Sequence, residues 1–201
     1  MVDWIDDTGK SAVRMPVVMI GTRDRRLLLS DLAARALGRP VPIRHREGFA
    51  PRLPTDDVRV SCAARPGLSA AAIARAPVGV DVEAVDGGEV PLTMLHPEEA
   101  RALAMLARAD RPAAFARLWA VKEAYLKALR LGLSREPATF RVTLEADGAR
   151  VEDPNLSVTA QAETRWVEGE GRRYAVAVVV LPSPPIPLAR GQGPLTPPGA
   201  R

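Results

Sequence analysis

Hydrophobic residues recur along this chain with two spacings, and each spacing predicts one kind of element. Between Val78 and Glu83, valine alternates with glycine or a carboxylate, which is the period-two pattern of a strand with one polar face. From Pro112 to Leu131, apolar residues recur every three or four positions, which predicts a helix. This strand and this long helix are the two best-defined predicted elements.

The remaining pattern predicts short groups of helices and strands. The predicted helices lie at about 24–37, 97–109 and 112–131, and the predicted strands at 58–62, 78–83, 139–145, 156–162 and 173–181. Asp110 is the expected N-cap of the long helix and Gly132 its terminating glycine. The segment 182–201 is rich in proline and glycine without periodicity, which predicts a disordered tail.

The nine residues 119–127 of the long helix include three charged side chains. Glu123 and Lys127 lie one turn apart on one side of the apolar arc, whereas Lys122 projects from within the arc. Only three of the 28 basic residues are lysine, and two of the three flank Glu123. Because an ammonium is not interchangeable with a guanidinium at a phosphate, this usage indicates a phosphate site. An ordinary Glu–Lys pair on a solvated helix is the alternative.

Two carboxylates, Asp81 and Glu83, share the polar face of the predicted strand. Their α-carbons are expected to lie roughly 6–7 Å apart, so the two charges repel each other. A hard divalent cation such as Mg²⁺ relieves that repulsion and leaves coordination positions open for substrate phosphates. An ordinary strand with its polar side in water is the alternative.

Together, the strand and the helix resemble the signature of the Sfp-type 4′-phosphopantetheinyl transferases. That family has a G-[IV]-D-[IV]-E strand followed by a W-x-x-K-E-[AS]-[YF]-x-K helix, and here 79–83 and 119–127 fill every position. Leu95–Glu99 resembles the family segment that opens the intervening helix, with Glu99 at its acidic position. Residues 26–35 are similar to the family's N-terminal basic amphipathic helix.

The resemblance implies an α+β fold with a pseudo-twofold pair of similar halves, each a helix plus antiparallel strands. The halves are expected at 1–96, with the metal strand, and at 97–181, with the long helix, and the tail at 182–201 follows. The family has a strand at 68–74, forming a hairpin with the metal strand, although the alanines of this segment favour a helix. The site is expected between the halves.

The resemblance also implies a reaction, the transfer of the phosphopantetheine arm of coenzyme A to a carrier-protein serine. Asp81, Glu83 and Glu123 would hold Mg²⁺, or Mn²⁺, against the pyrophosphate. Glu123, directly or through a water, would be the base for the serine, and Lys127 would neutralise the phosphate under attack. Asp81, Glu123 and Lys127 are thus the predicted catalytic residues. Lys122 is expected near the same pyrophosphate.

The chain departs from the family where the nucleotide of the coenzyme would bind. The family's N-[IV]-S-H-[ST] segment reads here as 59–63, so Ser61 is kept while Cys62 replaces a histidine that contacts the 3′-phosphate. The family's G-K-P lysine is also missing, since the corresponding run ends in Ala50-Pro51-Arg52. The predicted coenzyme contacts are Ser61, Lys122, Arg52 and Arg26.

Three interpretations of this departure are open. Other arginines, at positions 44, 46, 52, 59 or 65, bind the 3′-phosphate; the enzyme is indifferent to the 3′-phosphate; or the fold serves another task. Our hypothesis is that 3′-phosphate recognition is weakened while the transfer chemistry persists. Cys62 is interpreted as a small buried side chain rather than a nucleophile, because nothing around it predicts a low pKa. His45 and His96 lack partners at metal-ligand spacing and are predicted to lie at the surface.

The composition indicates the cellular compartment and the kinds of binding partner to expect. A single cysteine indicates a reducing compartment, the N-terminus lacks a signal-peptide pattern, and the longest apolar run, 175–181, is too short for a membrane span. We therefore expect a cytoplasmic monomer with no membrane partner. The sequence pI is about 9.8, but the net charge is only +4 and aromatic residues are scarce, so an acidic carrier protein is favoured over nucleic acid.

The predicted function is therefore Mg²⁺-dependent transfer to an acyl, polyketide or peptidyl carrier protein. The bias toward arginine, alanine and proline favours secondary metabolism, as in polyketide or nonribosomal peptide biosynthesis. The alternative is a protein of the same fold with altered substrate or lost transfer activity, which acts as a carrier-binding factor.

Overall fold

The computed structural model of the protein describes residues 2–6, 16–46, 50–86, 90–131, 135–146 and 148–182. Gly132, the predicted end of the long helix, and the predicted tail from residue 183 onward lie outside the described residues. No helix within the described residues has both the length and the apolar character that a membrane span requires.

The described residues form a mixed α+β fold, which confirms the predicted fold class. The helices are α1 (Arg25–Leu37), α2 (Pro97–Met105) and α3 (Arg111–Leu129). The strands are β1 (Asp3–Asp6), β2 (Val17–Gly21), β3 (Arg59–Arg65), β4 (Leu68–Ala74), β5 (Val78–Ala84), β6 (Arg141–Leu144), β7 (Gly148–Asp153), β8 (Val158–Gly169) and β9 (Arg172–Val180). Their order gives a four-stranded sheet, β1-β2-β4-β3, and a five-stranded sheet, β5-β9-β8-β7-β6.

The two sheets pack face to face, and each has a helix on its outer face. One apolar cluster lies between the sheets and joins β4 to β5 and β9, for example through Ala72, Val80 and Val178. A second cluster packs α1 on the outer face of the four-stranded sheet, and a third packs α3 on the outer face of the five-stranded sheet. The layers therefore follow the order α1, first sheet, second sheet, α3.

Strand β5 has the alternation predicted from its sequence. Val78, Val80 and Val82 are buried in the cluster between the sheets. Because successive side chains of a strand point to opposite faces, Gly79, Asp81 and Glu83 lie on the face toward α3. The polar face of this strand is thus covered by a helix instead of by water.

The predicted hairpin between 68–74 and β5 is wrong, because β5 pairs with β9. Strand β4 is hydrogen-bonded to β2 along one edge and to β3 along the other, so it has no free edge for β5. The segment 68–74 is itself a strand although its alanines favour a helix, because pairing on both sides outweighs helix propensity.

Several element ends differ from the predicted ones. Asp110 precedes α3, but its side chain makes no capping hydrogen bond. At the other end, Arg130 follows α3 in the left-handed conformation, with φ 58°. Strands β1, β2 and β7 were not predicted. The predicted division of the chain at residue 96 stays a prediction, although the pairing of β5 with β9 ties residues 78–84 to the second sheet.

Candidate active site

The two sheets meet at their edge strands, β3 and β5. The hydroxyl of Ser61 on β3 accepts a hydrogen bond from the backbone N–H of Val80 on β5 at 3.1 Å. The carbonyl oxygen of Val80 accepts from Lys127 Nζ at 3.2 Å. Both backbone polar groups of Val80 are therefore hydrogen-bonded, and these bonds hold the neighbouring Asp81 beneath α3.

Gly79 allows α3 to lie directly against β5. A Cβ atom at this position would lie 1.9 Å from the carbonyl oxygen of Ala124 and 2.6 Å from the amide nitrogen of Ala128. Only a residue without a side chain permits this approach of the helix backbone. The short distance places the polar face of β5 beside Glu123 and Lys127.

Asp81 is buried and is paired on one side only. Its Oδ1 atom lies 2.6 Å from Lys127 Nζ, in an ion pair whose aspartate side chain is 5% exposed. Its Oδ2 atom is buried and has no hydrogen-bond partner among the described residues. A buried carboxylate oxygen without a donor is costly, so this atom is a candidate ligand for a cation.

Glu83 forms a two-point contact with Arg65 at the end of β3. Arg65 Nη2 and Nε donate to the two carboxylate oxygens of Glu83, at 2.5 and 3.1 Å. Burial and the nearby charge of Asp81 raise the pKa of Glu83 to about 7, although Arg65 opposes the increase. The local field therefore favours a bound proton or cation at Glu83 at neutral pH.

Glu123 completes a set of three acidic residues. Burial and the charge of Asp81 raise the pKa of Glu123, while Lys127 and Arg65 lower it. Glu123 comes from α3, and Asp81 and Glu83 come from β5, so the close packing at Gly79 brings together carboxylates that are far apart in sequence.

The chemistry of this site fits a hard divalent cation. Among the described residues, no group of three or more histidine, cysteine or acidic side chains is already arranged as a metal site. Lys127 and Arg65 instead neutralise Asp81 and Glu83. Burial is the main cause of the raised pKa of Glu83 and Glu123, and the charge of Asp81 adds to it, so uncompensated carboxylate charge is disfavoured here. A bound cation would offset this cost and would give the unpartnered Asp81 Oδ2 a partner. Oxygen donors of this kind suit Mg²⁺ or Mn²⁺.

Lys122 does not reach this site, which corrects the prediction that it lies near the pyrophosphate. Its side chain has no exposure, and its ammonium lies 2.8 Å from Glu99 Oε1. The ammonium also donates to the carbonyl oxygens of Pro137 and Phe140. All three of its donors are therefore engaged within the protein. The partner Glu99 was not foreseen, because the pair is formed only when α2 packs on α3.

The other predicted coenzyme contacts lie around the acidic site. Ser61 joins β3 to β5 and is only 5% exposed, so its hydroxyl has a structural bond in addition to its predicted role. Arg26 is exposed and, with Arg25 and Arg65, lines a cavity of about 460 Å³ at the start of α1. Contact of Ser61 and Arg26 with the coenzyme stays a prediction.

Arg52 is exposed and belongs to a second group of arginines, at the C-terminal end of α3. Burial lowers the pKa of Arg130, and the charges of Arg52 and Arg59 lower it further. The charge of Asp56 opposes these effects. Three guanidinium groups that repel one another favour an anion at this place, and contact of Arg52 with the coenzyme also stays a prediction.

Cys62 is partly buried and packs against the apolar cluster beneath α1, so the predicted full burial is not observed. Burial raises the pKa of its thiol, although Arg25 and Lys127 oppose the increase. A thiol of this kind is a poor nucleophile at neutral pH. His96 has a role that the prediction missed, since its Nδ1 atom accepts from the backbone N–H of Glu98 and caps α2. The signal was a proline at the first helical position followed by acidic residues in the first turn.

A comparison with protein families identifies the region that contains this site. The model of the 4′-phosphopantetheinyl transferase superfamily matches residues 77–179, just over half of the 201 residues. No curated protein was found that matches the chain. The matched region includes Asp81, Glu83, Glu123 and Lys127, whereas β1 to β4 precede it. The chain belongs to the 4′-phosphopantetheinyl transferase superfamily, whose members transfer phosphopantetheine.

Proposed function

We propose that this protein is an Sfp-type enzyme that transfers the 4′-phosphopantetheine arm of coenzyme A to a serine of a carrier protein, with Mg²⁺ or Mn²⁺ bound. The observation that carries the proposal is the meeting of Asp81 and Glu83 from β5 with Glu123 and Lys127 from α3. This set contains oxygen ligands for a metal, a base and a cation for a phosphate, which are the parts that transfer of a phosphoryl-type group requires.

Individual residues of the chain have separate roles in the reaction. The serine oxygen attacks the phosphorus that carries the pantetheine arm, and its proton passes to Glu123, directly or through a water. The bond from that phosphorus to the bridging oxygen breaks, and adenosine 3′,5′-bisphosphate leaves. In the metal-free site, burial and the charge of Asp81 raise the pKa of Glu123, which makes its carboxylate a stronger proton acceptor than an exposed glutamate. Lys127 neutralises charge on the phosphate.

The metal would be held by Asp81, Glu83 and Glu123. It would supply positive charge to the pyrophosphate and stabilise the leaving group. Lys127 and Arg65, which pair with Asp81 and Glu83 in the structure, are then available to bind phosphate oxygens instead. Lys127 and Arg65 pair either with the carboxylates or with phosphate. Binding of the metal to the carboxylates would therefore free both cations for coenzyme A, and each ligand would favour the binding of the other.

We expect the transfer to be detected directly by mass spectrometry of an apo-carrier protein. Incubation with this protein, coenzyme A and Mg²⁺ should add one phosphopantetheine arm to the carrier, and omission of the metal should prevent the addition. Acyl, polyketide and peptidyl carriers are compared, because the arginine-rich composition favours a carrier of secondary metabolism. Carrier binding without any gain of mass, on all three classes, would support a carrier-binding factor instead.

A second arm of the experiment tests the nucleotide end, where Cys62 stands in place of the family's histidine. Coenzyme A and its 3′-dephospho form are compared as donors. Turnover that falls by only a small factor on the dephospho form supports weakened recognition of the 3′-phosphate. A fall of about a hundredfold, which is about 2.7 kcal/mol, contradicts it and indicates that arginines such as Arg52 and Arg59 replace the missing contacts.

Metal binding has a readout that does not depend on activity. We expect Mn²⁺ or Mg²⁺ to raise the unfolding temperature of the wild-type protein by roughly 2–4 °C for each kcal/mol of binding free energy. Asp81→Asn should abolish this increase. Asp153→Asn is the matched control, because Asp153 is equally buried and paired with Arg135 but lies outside the site. An equal increase in wild type and Asp81→Asn would exclude Asp81 as a ligand.

A further inference from the structure

Lys122 and Glu99 form an ion pair that the proposed reaction does not use. The two side chains are 0% and 1% exposed, and Lys122 Nζ lies 2.8 Å from Glu99 Oε1. The ammonium also donates to the carbonyl oxygens of Pro137 at 2.8 Å and Phe140 at 2.9 Å. The three bonds have different directions and use every donor of the lysine.

Both carboxylate oxygens of Glu99 also accept hydrogen bonds. In addition to the ammonium, Glu99 Oε1 accepts from the backbone N–H of Val142 at 2.6 Å. Glu99 Oε2 accepts from the backbone N–H of His96 at 2.8 Å. The pair thus connects α3 to the first turn of α2, to β6 and to the turn that precedes β6.

Stability alone does not account for two buried charges at this place. Both ions lose their hydration, and burial lowers the pKa of Lys122 while Glu99 opposes the change. Replacement of a buried ion pair by apolar residues of similar volume is often neutral or stabilising. What the charges add over an apolar pair is direction, because hydrogen bonds constrain orientation and apolar contacts do not.

Helix α3 has particular need of such a constraint. Ten of its 19 residues are buried, and they lie around most of its circumference. Five of the ten are alanine or valine, and the other five are larger side chains, among them Lys122. Small apolar side chains constrain the rotation of a helix less than hydrogen bonds do, so the rotation of α3 depends on its directional bonds. These include the bonds of Arg117, Tyr125 and Lys127 as well as the Lys122–Glu99 pair.

We propose that the Lys122–Glu99 pair is a positioning device for the transfer site: it fixes the rotation of α3 about its axis and thereby places Glu123 and Lys127 against β5. Glu123 follows Lys122 by about 100° around the helix. A rotation of about 20°, at a helix radius of about 5–6 Å, moves a side chain by roughly 2 Å. A misplacement of about 1 Å can cost a hundredfold in rate.

The test replaces both charges together, with Glu99→Leu and Lys122→Met in one variant. This inference rests on the proposed function for its kinetic readout. We expect the variant to unfold cooperatively, with kcat reduced about tenfold or more and KM for coenzyme A unchanged within about threefold. Tyr125→Phe is the matched control on the same helix: it removes one buried hydrogen bond, to Asp153 Oδ2 at 2.8 Å, whereas the double variant removes the five bonds of the pair, so the loss of kcat should be much smaller.

Two kinetic outcomes overturn the proposal. The first is an unchanged kcat, and if KM rises as well, this is the signature of a coenzyme contact. The second is an equal loss of kcat in Tyr125→Phe. If the double variant does not fold, Glu99→Gln replaces it, because glutamine keeps the volume and one acceptor oxygen. Glu99→Gln should lower kcat with KM unchanged, and wild-type kcat in this variant also overturns the proposal.

A crystal structure of the double variant separates this inference from the proposed function. A rotated α3, with Glu123 displaced from Asp81, supports the positioning role even if the wild-type protein shows no transfer. In that case the proposed function alone fails. An α3 in the wild-type orientation overturns the positioning role, whatever the activity of the wild-type protein.

Discussion

Replacement of Glu123 by glutamine is expected to lower the rate of transfer by about 10²–10⁴-fold, the usual contribution of a general base. Glutamine has nearly the same shape but neither accepts the serine proton nor offers an anionic ligand to the metal. Single-turnover transfer to a carrier, followed by mass spectrometry, measures the rate. A loss of this size with an intact fold would identify Glu123 as a catalytic residue.

The same variant should be at least as stable as the wild type. Glu123 is repelled by Asp81, and burial also disfavours its charged form. Removal of the charge relieves both effects, so the free energy of unfolding in urea should stay constant or increase. The control is Glu98→Gln, on an exposed side chain that contacts Arg141 away from the site. Retention of more than about a tenth of the wild-type rate in Glu123→Gln would contradict a general-base role.

Gly79→Ala is expected to destabilise the protein by about 3 kcal/mol, at the upper end of the usual cost of overpacking. The new Cβ would lie 1.9 Å from the carbonyl oxygen of Ala124, and a backbone atom cannot move aside as a flexible side chain can. Helix α3 must therefore move away from β5 by more than 1 Å to restore an ordinary contact. This movement also separates Glu123 from Asp81, so transfer should fall by about a hundredfold.

Urea unfolding and transfer kinetics measure the two effects of Gly79→Ala. Gly171→Ala is the matched control, because Gly171 lies in the turn between β8 and β9 with φ 72° and has open space around it. Its cost should be limited to backbone strain, of about 1 kcal/mol, and its activity should be unchanged. A Gly79→Ala variant within about 0.5 kcal/mol of the wild type would contradict the close approach of α3 to β5.

Local patterns predicted the site in part. The alternation in β5 correctly placed the valines on one face and the carboxylates on the other, and the helical period correctly predicted α3. Strand β7 was not predicted, although its buried positions, Ala149, Val151 and Asp153, alternate as in a strand with one buried face. The prediction for β4 was ambiguous between helix and strand. Its alanines favour a helix, and the backbone pairing on both of its edges, which makes it a strand, leaves no signal in its own side chains.

Lys122 shows where local patterns stop being informative. Its position within the apolar arc correctly indicated that it is unusual, but not what it contacts. A lysine within a motif that also contains Glu123 and Lys127 suggests a phosphate contact, whereas its actual partners come from α2 and from the turn before β6. A contact between two elements that are distant in sequence produces no periodic pattern in the sequence of either element.

Local patterns in the chain were enough to predict the carboxylate strand and the lysine-bearing helix. Both follow from side-chain periodicity, which is a local property of the chain. The α+β class followed from the resemblance to the transferase family, to whose superfamily the chain belongs. Three features became apparent only when the elements were packed together: β5 pairs with β9, the backbone of α3 lies against Gly79, and Lys122 is buried against Glu99. These depend on which edges are free and which surfaces meet, and both are fixed only when the sheets and helices pack together.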